Sequence, residues 1–275
     1  MDFKKDVSLL IIGYDPYIDV WNHYFELINI YWKDRPKTYL ATNGLSPNYD
    51  GVTVIPTSNE SEWSRKVQIA IEKIETKYVI LLLEDFFTTK KVNNDYVIEL
   101  VKLMEKYKID YCKLLNQSKI KGDIFEGYKN LHVIGKEDPY GISLQPAIWN
   151  KNYLSRLLGD ENYNAWIFEF NQVKNRIQNQ EKINCIADDR NILQVTHAVV
   201  QSKYLRSAIR VFNRQGYKID TSKREVFSIK ENFKYRLKGV VSEYCPEQLR
   251  EICKSIGRKM NVDFVSDRQL GGKEK

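Results

Sequence analysis

The chain alternates between short unbroken apolar runs and longer stretches in which apolar residues recur at helical spacing. Residues 7–14 (VSLLIIGY) form such a run and end in a glycine-containing turn, as a strand buried on both faces would. Asp15-Pro16 then reads as an N-cap followed by proline at the first helical position. Ile18, Trp21, Phe25, Ile28 and Trp32 recur at helical spacing, and Pro36 closes that helix. A second strand is expected at 38–41, ending at Asn43-Gly44. Asn59 with Glu62 predicts a capping box ahead of a helix carrying Trp63, Val67, Ile71 and Ile74 on one face. Residues 78–83 (YVILLL) are the next buried strand, running into Glu84-Asp85-Phe86-Phe87. A helix near 95–107 and a strand at 111–115 follow.

The middle, 122–149, is turn-rich, with strands expected at 131–134 and 142–148. Helices are expected at 151–158 and 164–178, the second with Trp166, Phe170, Val173 and Ile177 as its buried face. Strands near 183–187 and 193–200 complete the core. This alternation predicts an α/β fold: one Rossmann-like, mostly parallel central sheet with helices on both faces. The expected organisation is a domain over 1–220, with halves 1–116 and 117–220, then a basic, partly helical appendage over 221–275. In the appendage, Leu249, Ile252, Cys253, Ile256 and Met260 share one face of a helix expected at 245–260.

Composition narrows the class. At 43% hydrophobic and 29% charged residues the chain is globular rather than disordered, and no apolar run approaches the roughly 18 residues of a membrane helix. The acid-bearing N-terminus does not read as a signal peptide. Four cysteines without CxxC spacing point to a reducing, cytoplasmic setting, and only three histidines argue against a multi-histidine zinc site. Charge is local: eleven Lys or Arg against three acids between 200 and 240 give that window +8 in a chain of +7. Such a segment suits nucleic acid, a phosphorylated ligand or an anionic membrane surface, and Phe227, Phe233, Tyr235 and Leu237 interleaved with the cations favour the membrane.

Known phosphate-binding and nucleophile motifs are missing. The first strand-to-helix turn has Gly13 alone where a dinucleotide site needs G-x-G-x-x-G, and neither a P-loop nor a G-x-S-x-G elbow occurs. Glu84 and Asp85, by contrast, stand at the carboxyl end of the most apolar strand, the edge where open α/β sheets bind ligands. Adjacent carboxylates there suit Mg²⁺ or Mn²⁺ shared with a substrate diphosphate. His197 lies between Val195 and Val199 on one strand face, the usual setting of a core histidine.

Trp63-Ser64-Arg65-Lys66, the run 69–74 and the strand 78–87 together resemble GT-A fold glycosyltransferases of bacterial surface-polysaccharide (capsule and O-antigen) clusters. Residues 142–149 and 165–169 are similar to the acceptor-side segments of that family. The resemblance spans about 7–220, and it departs from the family's Asp-x-Asp pattern by reading Glu84-Asp85-Phe86. It implies a nucleoside-diphosphate-sugar donor, a saccharide or lipid-linked saccharide acceptor, and inversion with Mn²⁺ or Mg²⁺. It further implies Glu169 as general base, with Asp188 or Asp189 as the rival. Glu84, Asp85 and His197 would be metal ligands, and Tyr14, Asp15, Asn43, Arg65, Lys66 and Lys203 would bind donor alongside the acidic pair. Trp166, Gln145 and Trp149 would bind acceptor. A sugar nucleotidyltransferase and a non-enzymatic nucleic-acid binder are the competing classes; the first lacks a Gly-rich triphosphate loop, and the second has its basicity confined to the tail.

Overall fold

The computed structural model describes residues 3–116, 120–135, 138, 140–178 and 184–235, without side chains at 3–4 and 173–178. The chain divides into two compact units, Met1–His197 and Ala198–Lys275.

The first unit begins with α1 (Phe3–Asp6), β1 (Val7–Ile12), a 3₁₀ turn (Asp15–Tyr17) and α2 (Ile18–Tyr31). Then come β2 (Thr38–Thr42), β3 (Val52–Pro56), α3 (Trp63–Lys73), β4 (Tyr78–Leu83) and β5 (Phe86–Thr88). α4 (Asn94–Tyr107), β6 (Tyr111–Lys113), β7 (Ile124–Phe125), β8 (Tyr128–Val133) and β9 (Ala147–Asn150) follow. The unit ends with α5 (Lys151–Leu158), α6 (Ala165–Gln178), β10 (Cys185–Asp188) and β11 (Val195–His197). The central sheet has the order β3-β2-β1-β4-β9-β6-β10-β8-β7. Its pairings make β9 and β8 run against the remaining strands, so it is mostly parallel, as the alternating pattern predicts.

Both sheet faces are covered. Leu10, Ile12, Val79 and Leu81 pack on one side with Trp63, Val67 and Ile71 of α3, Leu154 of α5 and Phe168 of α6. The alternate residues, Leu9, Ile11, Ile80 and Leu82, are equally buried on the other. There α2 and α4 are joined by the Trp32 indole N–H, which donates to Asn94 Oδ1 at 2.7 Å.

Four local expectations are corrected. β3 was not expected: it is an edge strand on which only Ile55 is buried, so its apolar signal is weak, and its terminal Pro56 is tolerated at the edge. The expected strand at 193–200 is broken, because β11 pairs with β5 while Val199–Val200 belongs to a hairpin of the second unit. No capping box precedes α3, since its N-cap is Glu62 without a side-chain cap; Asn162 Oδ1 and the Tyr163 carbonyl instead accept from the backbone N–H groups of Glu62 and Ser64. Among the described side chains of α6, Phe168 and Gln172 are buried while Trp166 is 70% and Phe170 49% exposed; Val173 and Ile177 lie outside the described side chains. Apolar side chains surround its first turn, so packing selects Phe168, whose ring meets Trp63 at 4.9 Å.

The second unit opens with a hairpin of β12 (Val199–Val200) and β13 (Lys203–Tyr204), followed by α7 (Arg206–Arg214). The Tyr204 N–H donates to the Glu225 carbonyl at 2.8 Å, which ties the later segment back to the hairpin. Residues 229–235 are helical again. The helix expected at 245–260 lies outside the described residues. Among the described residues, no helix is long and apolar enough to cross a membrane.

Candidate functional site

The ends of β1, β2 and β4 are level, with Ile12 in register with Ala41 and Leu83. Three segments therefore rise together at the carboxyl edge of the sheet: Gly13-Tyr14-Asp15, Asn43-Gly44-Leu45 and Glu84-Asp85. The first turn needs glycine because a Cβ at Gly13 would lie 2.7 Å from the Trp21 ring.

The floor of this edge is a buried polar network. The Asp15 carboxylate accepts from the backbone N–H groups of Asn43, Gly44 and Leu45, each at 2.8 Å. It thus shapes the turn after β2 rather than capping α2. Asn43 is buried, its amide donating to the Ser58 and Ser61 carbonyls while its Oδ1 accepts from Lys66. The Lys66 ammonium also donates to the Gly13 carbonyl at 2.8 Å. Burial lowers the Lys66 pKa, and the charges of Glu84, Asp15 and Glu62 oppose that effect. Burial, reinforced by the Asp85 charge, pushes Glu84 up to about 8, although its carboxylate accepts from its own and the Tyr14 backbone N–H. Asp15, Asn43, Lys66 and Glu84 accordingly form the support beneath the edge. Above them the Tyr14 ring is 52% exposed, with the Lys66 ammonium 5.7 Å from its centroid.

Asp85 and His197 are the half-open part. His197 Nδ1 is 3.4 Å from Asp85 Oδ2, with side-chain exposures of 38% and 22%. The β5–β11 ladder sets His197 opposite Phe86, and the two rings meet edge to face at 4.4 Å. The histidine is therefore not the enclosed core residue that its valine neighbours suggest. Among the described residues, no three His, Cys, Asp or Glu side chains converge on a metal position, so the expected Glu84–Asp85–His197 triad does not assemble. Asp85 and His197 fit a divalent ion that takes its other ligands from a diphosphate and water.

Glu169 is brought to the same edge. Its Oε1 accepts from the Leu144 N–H at 2.9 Å. Burial raises its pKa, while that N–H, the Lys113 ammonium and His197 act in the opposite direction. Lys113, wholly buried at the end of β6, donates to the Tyr140 carbonyl at 2.9 Å. Tyr111 Oη donates to the Ser143 carbonyl at 3.2 Å. The segment 140–146, which carries Gln145, is thus tied down beside Glu169 at three points. Lys113 was missed because a lone lysine in a short strand carries no sequence signal for burial.

Several expected residues have other surroundings or partners. Trp149 is fully buried, packed on Tyr111 and Phe168, so it cannot touch an acceptor. Arg65 is exposed and donates to Gln68 Oε1 at 3.2 Å. Lys203, in the second unit, pairs with Glu225 at 2.8 Å and Glu231 at 3.1 Å. The rival bases are consumed: Asp188 is fully buried against the Arg190 guanidinium, and Asp189 pairs with His132 at 2.8 Å.

No protein-family model and no curated protein match this chain. Among solved structures it is similar to residues 1–349 of S. aureus TarS, at 10% identity and a TM-score of 0.46, over 98% of this chain and 75% of that one. The same TarS fragment in complex with UDP-GlcNAc matches at 12% identity and a TM-score of 0.45, over 90% and 70% of the two chains. Another match is 4-diphosphocytidyl-2C-methyl-D-erythritol synthase of Anaerococcus prevotii, at 10% identity and a TM-score of 0.42, covering 78% and 97%. These are distant likenesses.

Proposed function

We propose that this chain is a glycosyltransferase that moves a sugar from a nucleoside diphosphate to a saccharide acceptor with inversion. The observation that carries the reading is the Asp85–His197 pair, a carboxylate and an imidazole brought together from two separate segments at the end of β4. In this reading Asp85 and His197 hold the donor diphosphate through Mn²⁺ or Mg²⁺, and the exposed Tyr14 ring offers its face to the nucleobase. A divalent ion bound with the donor would offset the negative charge growing on the leaving diphosphate.

Glu169 takes the proton of the acceptor hydroxyl as that oxygen attacks the anomeric carbon. The new C–O bond forms on the face opposite the breaking C–O bond, and the nucleoside diphosphate leaves with the electron pair. The Leu144 N–H fixes one carboxylate oxygen of Glu169, which leaves the other to accept the proton. Gln145 lies beside it, and the exposed Trp166 ring gives an acceptor sugar a flat apolar surface. The resemblance to surface-polysaccharide transferases supports a saccharide or lipid-linked saccharide acceptor.

Incubation with a panel of sugar nucleotides, with released nucleoside diphosphate as readout, tests this directly. Release with at least one donor, increased by saccharide acceptors, is expected. Pyrophosphate release from nucleoside triphosphates and sugar phosphates, with none from sugar nucleotides, would replace transfer by nucleotidylation.

A further inference from the structure

The second unit carries a cationic surface of its own. Arg206, Arg210 and Arg214 recur every fourth residue along α7 and form one exposed stripe. Arg206 Nε donates to the Phe227 carbonyl and Arg210 Nε to the Arg206 carbonyl. Among the described residues, no carboxylate pairs with any of the three. The acids nearest in sequence are engaged: Glu225 and Glu231 hold Lys203, and the Asp220 carboxylate accepts from the Ser222 N–H.

Beside the stripe runs a groove of about 400 Å³, lined by Arg206, Ile209, Arg210, Val226, Ile229 and Asn232. Ile229 is 77% exposed at its lip, and Phe233, one turn further along the helical stretch 229–235, is 59% exposed. Leaving an isoleucine and a phenylalanine in water one turn apart forgoes apolar burial unless something covers them. What covers them must also satisfy guanidinium groups on the adjoining helix.

We propose that this face docks on an anionic phospholipid bilayer. The guanidinium stripe meets the headgroup phosphates, and Ile229 and Phe233 enter the boundary between headgroups and acyl chains. Nucleic acid would meet the charge equally well. The apolar groove and the aliphatic Ile229, 77% exposed at its lip, however, supply contact that base stacking and phosphate pairing leave unused, which favours lipid.

The test is sedimentation of the full chain with vesicles of phosphatidylcholine alone, or with roughly one-third phosphatidylglycerol, at low and high salt. Binding to the anionic vesicles only, weakened by salt, is expected. A basic residue near such a surface contributes about 1 kcal/mol, so Arg210→Gln with Arg214→Gln should weaken partitioning roughly 30-fold. Ile229→Ser with Phe233→Ser should remove the part that survives high salt. Circular dichroism establishes that the variants fold; should one not, the wild-type lipid preference decides by itself. Equal partitioning of wild type to neutral and anionic vesicles overturns the proposal, as does a folded double-arginine variant that binds like wild type. Binding to single-stranded RNA with no vesicle partitioning also overturns it. Because no sugar donor enters the assay, its outcome is independent of the site in the first unit.

Discussion

His197 Nδ1 stands 3.4 Å from Asp85 Oδ2, although 112 residues separate the two in sequence. The short β5–β11 ladder makes that meeting, pairing Phe86 with His197, Phe87 with Thr196 and Thr88 with Val195. An acidic strand end thereby becomes a two-sided site, with a carboxylate on one wall and an imidazole on the other. The proposed diphosphate position depends on this pair, whereas the buried Glu84 supports it from beneath.

Asp85→Ala should abolish transfer and weaken nucleotide binding, while Glu84→Ala has a smaller effect on both. Titration calorimetry with nucleoside diphosphate and Mn²⁺, beside turnover, separates the two roles. A double alanine variant with unchanged affinity and turnover would put the diphosphate elsewhere.

Removing the base should alter chemistry rather than affinity. Glu169→Gln keeps the shape and the acceptor for Leu144 N–H but cannot take the proton, so kcat should fall about 10²–10⁴-fold with near-normal donor binding. Asp188→Asn should instead act on stability, since Asp188 is enclosed by the Arg190 guanidinium. Steady-state kinetics and circular dichroism on both variants check the contrast. A Glu169→Gln enzyme within about threefold of wild-type kcat, only ~0.65 kcal/mol of barrier, contradicts the assignment.

The pH dependence has a definite sign. Burial raises the Glu169 pKa above the ordinary carboxylate value, so the base is protonated at low pH and kcat rises as pH climbs through that raised value. The Lys113 ammonium and His197 both favour the ionised form. Lys113→Met should therefore move the acidic limb to higher pH, and Lys113→Arg should leave it nearer wild type. An unmoved limb in a folded Lys113→Met variant would show that the lysine acts only through Tyr140.

Asp15 should matter for stability before it matters for chemistry. Its carboxylate satisfies three backbone N–H groups of the turn after β2. Asp15→Ala should cost roughly 1.5–3 kcal/mol, the usual worth of hydrogen bonds to a charged group, and Asp15→Asn less. Urea unfolding measures both.

Legibility in the sequence follows burial. β1 and β4 are covered on both faces, so each reads as an unbroken apolar run, and their ends locate the acidic edge without a structure. β3 has little burial and hence little signal. The face of α6 was hidden because Trp166, Ile167, Phe168 and Phe170 leave no single stripe, and only packing on Trp63 selects Phe168. Asn43 and Lys66 were legible as neighbours of the edge. Their work as its buried support depends on hydrogen bonds across 23 and 53 residues, which no local pattern encodes.

The central claim is that the Asp85–His197 edge binds a nucleoside diphosphate. The most direct measurement is a thermal-shift comparison of wild type and Asp85→Ala with UDP, GDP, CMP and nucleoside triphosphates, with and without Mn²⁺, beside single-stranded oligonucleotides. The account predicts a shift of wild type by at least one nucleoside diphosphate, strengthened by Mn²⁺ and lost in Asp85→Ala. A shift by oligonucleotides alone, or a diphosphate shift unchanged in a folded Asp85→Ala variant, would contradict it.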